Sequence, residues 1–116
     1  MPVVRKTLLQ PRPGSEAEVG DMLVELDEKL GHAQGLLFSL VIAEPRLGRI
    51  SVWTSKDEAN REAVSDSTLS LRSRLRYFSL SAEESLLEVE SAPTSLPELE
   101  QLVGHPLVGL RPIVSP

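Results

Sequence analysis

The 116-residue chain has no cysteine, which removes disulfides, thiolate nucleophiles and cysteine-ligated zinc or iron–sulfur centres. Histidine is nearly as scarce. His32 and His105 are the only two, and neither has a second histidine or a carboxylate at metal-ligand spacing, so no metal is expected. Each follows a glycine at a helix end, where a cation favours the helix dipole, and capping rather than catalysis is the expected role. No apolar run approaches the roughly 18 residues that a membrane helix needs. The chain opens on Met1-Pro2 and an alternating segment with Arg5 and Lys6 instead of a signal-peptide core, so the expectation is a cytoplasmic protein with no membrane partner. A glycine-rich phosphate loop, a nucleophile elbow and a paired-carboxylate spacing are also missing.

What is present is a composition of 41% apolar and 25% charged residues, that of an ordinary globular domain, in a length suited to one such unit. A net charge of −5, spread along the chain, opposes a nucleic-acid partner. Arg72, Arg74 and Arg76, ahead of Tyr77 and Phe78, form a basic cluster. On a helix 72 and 76 share a face while 74 points elsewhere, and a solvated face is expected there.

Hydrophobic periodicity orders the elements. Val3, Arg5, Thr7 and Leu9 alternate with Val4, Lys6 and Leu8 in a strand that ends at Pro11-Arg12-Pro13-Gly14. A capping box from Ser15 to Glu18 opens a helix with the stripe Val19, Met22, Leu23, Leu26, Leu30 and a stop at Gly31. Leu36–Ala43 reads as a strand apolar on both sides, with Leu36, Phe38, Leu40 and Ile42 opposite Leu37, Val41 and Ala43. Glu44-Pro45-Arg46-Leu47-Gly48 turns it into the strand Arg49–Thr54, a hairpin with a loop of about five residues. That strand meets a helix at a second capping box, Ser55 to Glu58, in which Glu58 is expected to reach back to the Ser55 N–H. The helix runs from Lys56 to near Tyr77 with Val64, Thr68, Leu71, Leu75 and Phe78 at helical spacing and a possible break at Ser65-Asp66-Ser67. A last strand is expected over Leu86–Ser91. A third box, Ser95 to Glu98 with Pro97 in the first turn, starts a short helix that stops at Gly104, and His105 to Val114 reads as an extended arm docked on a partner or an edge strand.

This order, β–α–β–β–α–β, predicts an α+β, ferredoxin-like domain over residues 1–92: a four-stranded antiparallel sheet with both helices on one face. Residues 93–116 form the C-terminal helix and arm. Such a plan leaves the apolar second face of the sheet bare, and large exposed apolar patches are rare on monomers. The expected cover is a second copy, two sheets stacking into a barrel-like homodimer. The alternative is that the C-terminal tail folds over the same face.

Val52-Trp53-Thr54-Ser55-Lys56-Asp57-Glu58-Ala59, with the lengths of the flanking strand and helix, resembles the strand-end motif of the antibiotic biosynthesis monooxygenase-like domains of the dimeric α+β barrel superfamily. The resemblance covers Val3 to Glu90. It implies a dimeric barrel and, for part of the family, cofactor-independent oxygenation of planar quinone-type substrates. The haem-degrading branch carries a tryptophan and a haem-ligating histidine on the second helix and an asparagine in the first strand. Those positions hold Glu62 and Arg72 here, with no asparagine near Thr7, so haem degradation is not expected and no cofactor is implied.

Within that resemblance, Arg72 is the candidate cation for a developing substrate anion and Glu62 the candidate base. Trp53, the only tryptophan, is the candidate platform for a small planar organic ligand, with Arg76 and Thr7 as further substrate-binding candidates. Each also has a plain reading: Trp53 as core, Arg72 and Glu62 as solvated helix residues. Two functions stay open, a small oxygenase and a non-catalytic dimeric ligand-binding or scaffolding module.

Overall fold

All six residues of Gly48–Trp53 are buried, so both faces of the sheet around this strand are covered. The computed structural model describes residues 1–110. Their elements are β1 (Val3–Pro11), α1 (Glu16–Leu30), β2 (Leu36–Glu44), β3 (Gly48–Trp53), α2 (Lys56–Ala63), α3 (Asp66–Tyr77), β4 (Ser79–Glu88), α4 (Leu96–Val103) and β5 (Val108–Gly109). The sheet is antiparallel in the order β4-β1-β3-β2-β5. The ferredoxin-like α+β plan is therefore present, widened to five strands. At the head of β3, Gly48 lies between Leu8 and Ile42, and a Cβ there would collide with the Thr7 carbonyl oxygen. No other residue lets the strands approach so closely.

Alternation divides the sheet residues between two cores. Leu9 and Val41 face α1 and α3, where they meet the stripe Val19, Met22, Leu23, Leu26 and Leu30 together with Leu71 and Leu75. Val4, Leu8, Ile42, Ile50 and Val52 face the other way, onto Leu99 of α4 and Leu107. Leu99 is fully buried. The second face, for which a twin was the expected cover, is thus covered by the chain's own tail. The alternative reading holds, and the bare-face argument for pairing falls away. β5 completes the cover by adding to the edge of β2, with the Leu110 N–H donating to the Val41 carbonyl at 2.8 Å. The arm docks on an edge strand as expected up to this point; its remainder, Arg111 to Val114, lies outside the described residues.

Several local expectations are corrected. Ser15 has φ −106° and ψ 9°, not the extended backbone of a cap, and its side chain makes no capping bond. Ser55 and Ser95 are extended, and each accepts a bond from the backbone N–H three residues on, at 3.3 Å. The return halves differ from a capping box: Glu58 pairs with Arg61, and Glu98 accepts from the Thr94 N–H. The break expected at Ser65-Asp66-Ser67 is present but falls slightly earlier, between Ala63 and Asp66, so the second helix is two, and Val64 in the break is 79% exposed. The hairpin connection is Pro45–Leu47, because Glu44 and Gly48 belong to the strands. A register shift between Leu36 and Phe38 turns Leu36 to the helix side beside Trp53 and leaves Leu37 exposed. The last strand starts at Ser79, well before Leu86. As an outer strand paired only with β1, it has few buried side chains and hence no apolar alternation over Ser81 to Ser85.

Candidate ligand cavity

The helix-facing row of the sheet is polar where a core would be greasy. Arg5 and Thr7 of β1 and Arg49, Ser51 and Trp53 of β3 alternate with the apolar residues that face α4, so period-two geometry sends every one of them under the helices. They floor a cavity of about 190 Å³, roofed by Leu23 and Leu26 of α1, Glu62 of α2, and Leu69 and Arg72 of α3. Its mouth opens past Arg76 of α3 and Glu84 of β4, both exposed. For scale, an apolar cavity of about 150 Å³ admits benzene. One substituted ring fits inside, and a larger fused ring system has to extend through the mouth.

Trp53 and Ser51 fix one wall. Trp53 is 1% exposed, packs on Val3 and Ala59, and donates its Nε1–H to Ser51 Oγ at 2.8 Å. The tryptophan is both core and cavity lining. Arg49, 7% exposed, donates from Nε to Asp27 Oδ1 of α1 at 2.8 Å, and Ser39 Oγ of β2 donates to the same oxygen at 2.5 Å. One carboxylate therefore joins helix and two strands. Nη2 of Arg49 is buried with no hydrogen-bond partner among the described residues. Burial holds the Arg49 guanidinium below the usual arginine range in spite of Asp27.

Arg5 donates to the Ala59 carbonyl at 3.3 Å and pairs with Glu84 at 3.3 Å. Arg72 differs, because it has no carboxylate within ion-pair distance among the described residues. Its Nε donates to Thr68 Oγ1 at 3.0 Å and its Nη2 reaches the Glu62 carbonyl at 3.5 Å. Burial first, then repulsion from Arg5 and Arg49, pushes its pKa down. Stability is accordingly penalised at any pH below the depressed value and recovers only as pH rises through it, because the unfolded chain binds the proton more tightly.

All five residues singled out in the sequence, Arg72, Glu62, Trp53, Arg76 and Thr7, line this one cavity. Arg72 is not the solvated helix residue of its plain reading. Arg5, Arg49 and Asp27 were missed, although the signal was present: Arg49 and Ser51 share the alternation of Trp53 within a strand bounded by apolar neighbours. The histidines lie elsewhere. His32 is exposed beyond Gly31, and His105 sits 3.5 Å from the Lys6 ammonium on the α4 side.

No protein-family model and no curated protein matches the chain. Solved structures do. A variant of SnoaB, a cofactor-independent oxygenase from Streptomyces nogalater, matches over 81% of this chain and 98% of its own, with TM-score 0.69 and 18% identity. Rv0793 from Mycobacterium tuberculosis matches over 82% and 100%, with TM-score 0.71 and 15% identity. A candidate antibiotic biosynthesis monooxygenase from Caulobacter crescentus matches over 78% and 91%, with TM-score 0.68 and 14% identity. The fold is that of the antibiotic biosynthesis monooxygenase-like domains. Identities this low carry the fold and not the chemistry. Among the described residues no helix of this monooxygenase-like fold is long and apolar enough to cross a membrane.

Proposed function

We propose that the cavity is the active site of a cofactor-independent monooxygenase, or a related small enzyme, acting on a planar aromatic or quinol-type substrate. The observation that carries the reading is Arg72, a half-buried cation with no carboxylate partner among the described residues, set over a cavity walled by Trp53. In this mechanism Glu62 accepts the substrate proton, Arg72 holds the resulting anion, and Trp53 keeps the ring flat in a space with little water. The anion itself meets oxygen: a quinol takes one atom of O2 to become a hydroxyquinone, and the other atom leaves as water. Thr7 and Arg76 contact the ring and the mouth.

An oxygen electrode with single-ring quinols and anthrones tests this. Turnover is expected, falling about a hundredfold in Arg72→Ala and by a similar factor in Glu62→Gln. Silence from the wild type defeats the oxygenase reading. The second reading is a non-catalytic ligand-binding module, favoured by one detail: Glu62 meets Arg72 through its backbone carbonyl, not its carboxylate. Homodimer formation is a separate proposal. With the sheet face covered, one surface open to it is the outer edge of β4, where Leu80 and Leu87 are exposed. Sedimentation at micromolar concentration decides it, and a 12.7 kDa particle ends it.

A further inference from the structure

The chain is acidic, yet four of its twelve lysines and arginines line one cavity with only two glutamates. Asp27 reduces the excess to a single positive charge without filling the space, since it is bonded to Arg49 from behind. Two of these guanidiniums are incompletely satisfied. Among the described residues, Nη2 of Arg49 is enclosed with no acceptor, and Arg72 has a hydroxyl and a distant carbonyl but no counter-ion. Burying like charges side by side is costly, and proteins keep such an arrangement where an anion completes it. Arginine is also the side chain whose geometry fits a carboxylate through two parallel bonds.

The apolar part of the cavity is equally definite. Leu9, Leu23, Leu26 and Leu75 and the Trp53 ring line the same space as the cations, in a volume that takes one ring. We propose that the ligand of this cavity is a single-ring aromatic carboxylate, its carboxylate between Arg49 and Arg72 and its ring against Trp53 and the leucines. The inference rests on the reading of this cavity as a ligand site, and adds a permanent negative charge to the ligand.

Titration calorimetry with benzoate and its neutral isostere benzamide, on the full chain at neutral pH, tests it. Benzoate is expected to bind at least about tenfold more tightly than benzamide, as a charged hydrogen-bonded contact requires. Arg72→Gln should remove that advantage while benzamide binding stays put. Equal affinity for the two in wild type overturns the proposal and needs no variant, so a misfolded mutant does not shelter it. Hydroquinone separates the two levels of the argument. If hydroquinone binds and benzoate does not, the charge requirement is wrong and the cavity reading stands; if none of the three binds, both fall.

Discussion

The two faces of this sheet are made by the same strands and differ in almost every respect. Toward α4, Val4, Leu8, Ile42, Ile50 and Val52 meet Leu99 and Leu107 in an apolar layer. Toward α1, α2 and α3, their immediate neighbours in sequence are Arg5, Thr7, Arg49 and Ser51, and a cavity is left among them. The first face is explained by burial alone, at roughly 25 cal/mol per Å² of apolar surface removed from water. The second is not. It keeps desolvated cations and empty volume, both unfavourable for folding, so its composition points to a task other than stability.

The comparison can be broken by mutation. Leu99→Ala, in the apolar layer, should cost about 3 kcal/mol in urea unfolding and leave benzoate affinity unchanged. Nearly as large is Asp27→Ala. It strands the Arg49 cation under the helices, and a loss of about 3 kcal/mol is expected, the low end for a broken buried pair because Asp27 is itself partly exposed. Removing the cation instead leaves an Asp27 that is partly exposed and still bonded to Ser39, so Arg49→Met should cost less, about 1–2 kcal/mol, while abolishing benzoate binding. If Arg49→Met unfolds the protein and Leu99→Ala does not, the faces have been assigned the wrong roles. Arg72→Gln sharpens the point, with stability within about 0.5 kcal/mol of wild type and about a tenfold loss of benzoate affinity. Trp53→Phe closes the series, losing the bond to Ser51 and some contact area for about 1 kcal/mol, read from the thermal midpoint.

Much of this was legible from residue order. The stripe Val19 to Leu30, the joint at Ser55 and the short helix from Ser95 to Gly104 are local signals: the first lies where its periodicity places it, although Ser15 does not cap it, and the other two start at their caps. β4 was half hidden, because an outer strand in contact with water on both sides has no reason to alternate. The cover over the second face was misjudged for a different cause. Nothing local in Leu99 or Leu107 says whether they pack on their own sheet or on another molecule's, since either choice buries the same side chains. Trp53 was found through the strand-to-helix joint, and Arg72 and Glu62 through the family resemblance aligned on it, whereas Arg49 was overlooked because an arginine near a hairpin turn looks solvated until the strand is known to be central.

The interruption at Val64 and Ser65 has a bearing on what the protein can accept. An unbroken rod from Lys56 to Tyr77 would lie as one ridge across the sheet. The two shorter pieces instead put Glu62 and Ala63 on one segment of the cavity roof and Leu69 and Arg72 on the next. Lengthening or shortening that step by a residue would move Glu62 relative to Arg72, so the distance between the proposed base and the proposed cation is set by a two-residue link that belongs to neither helix.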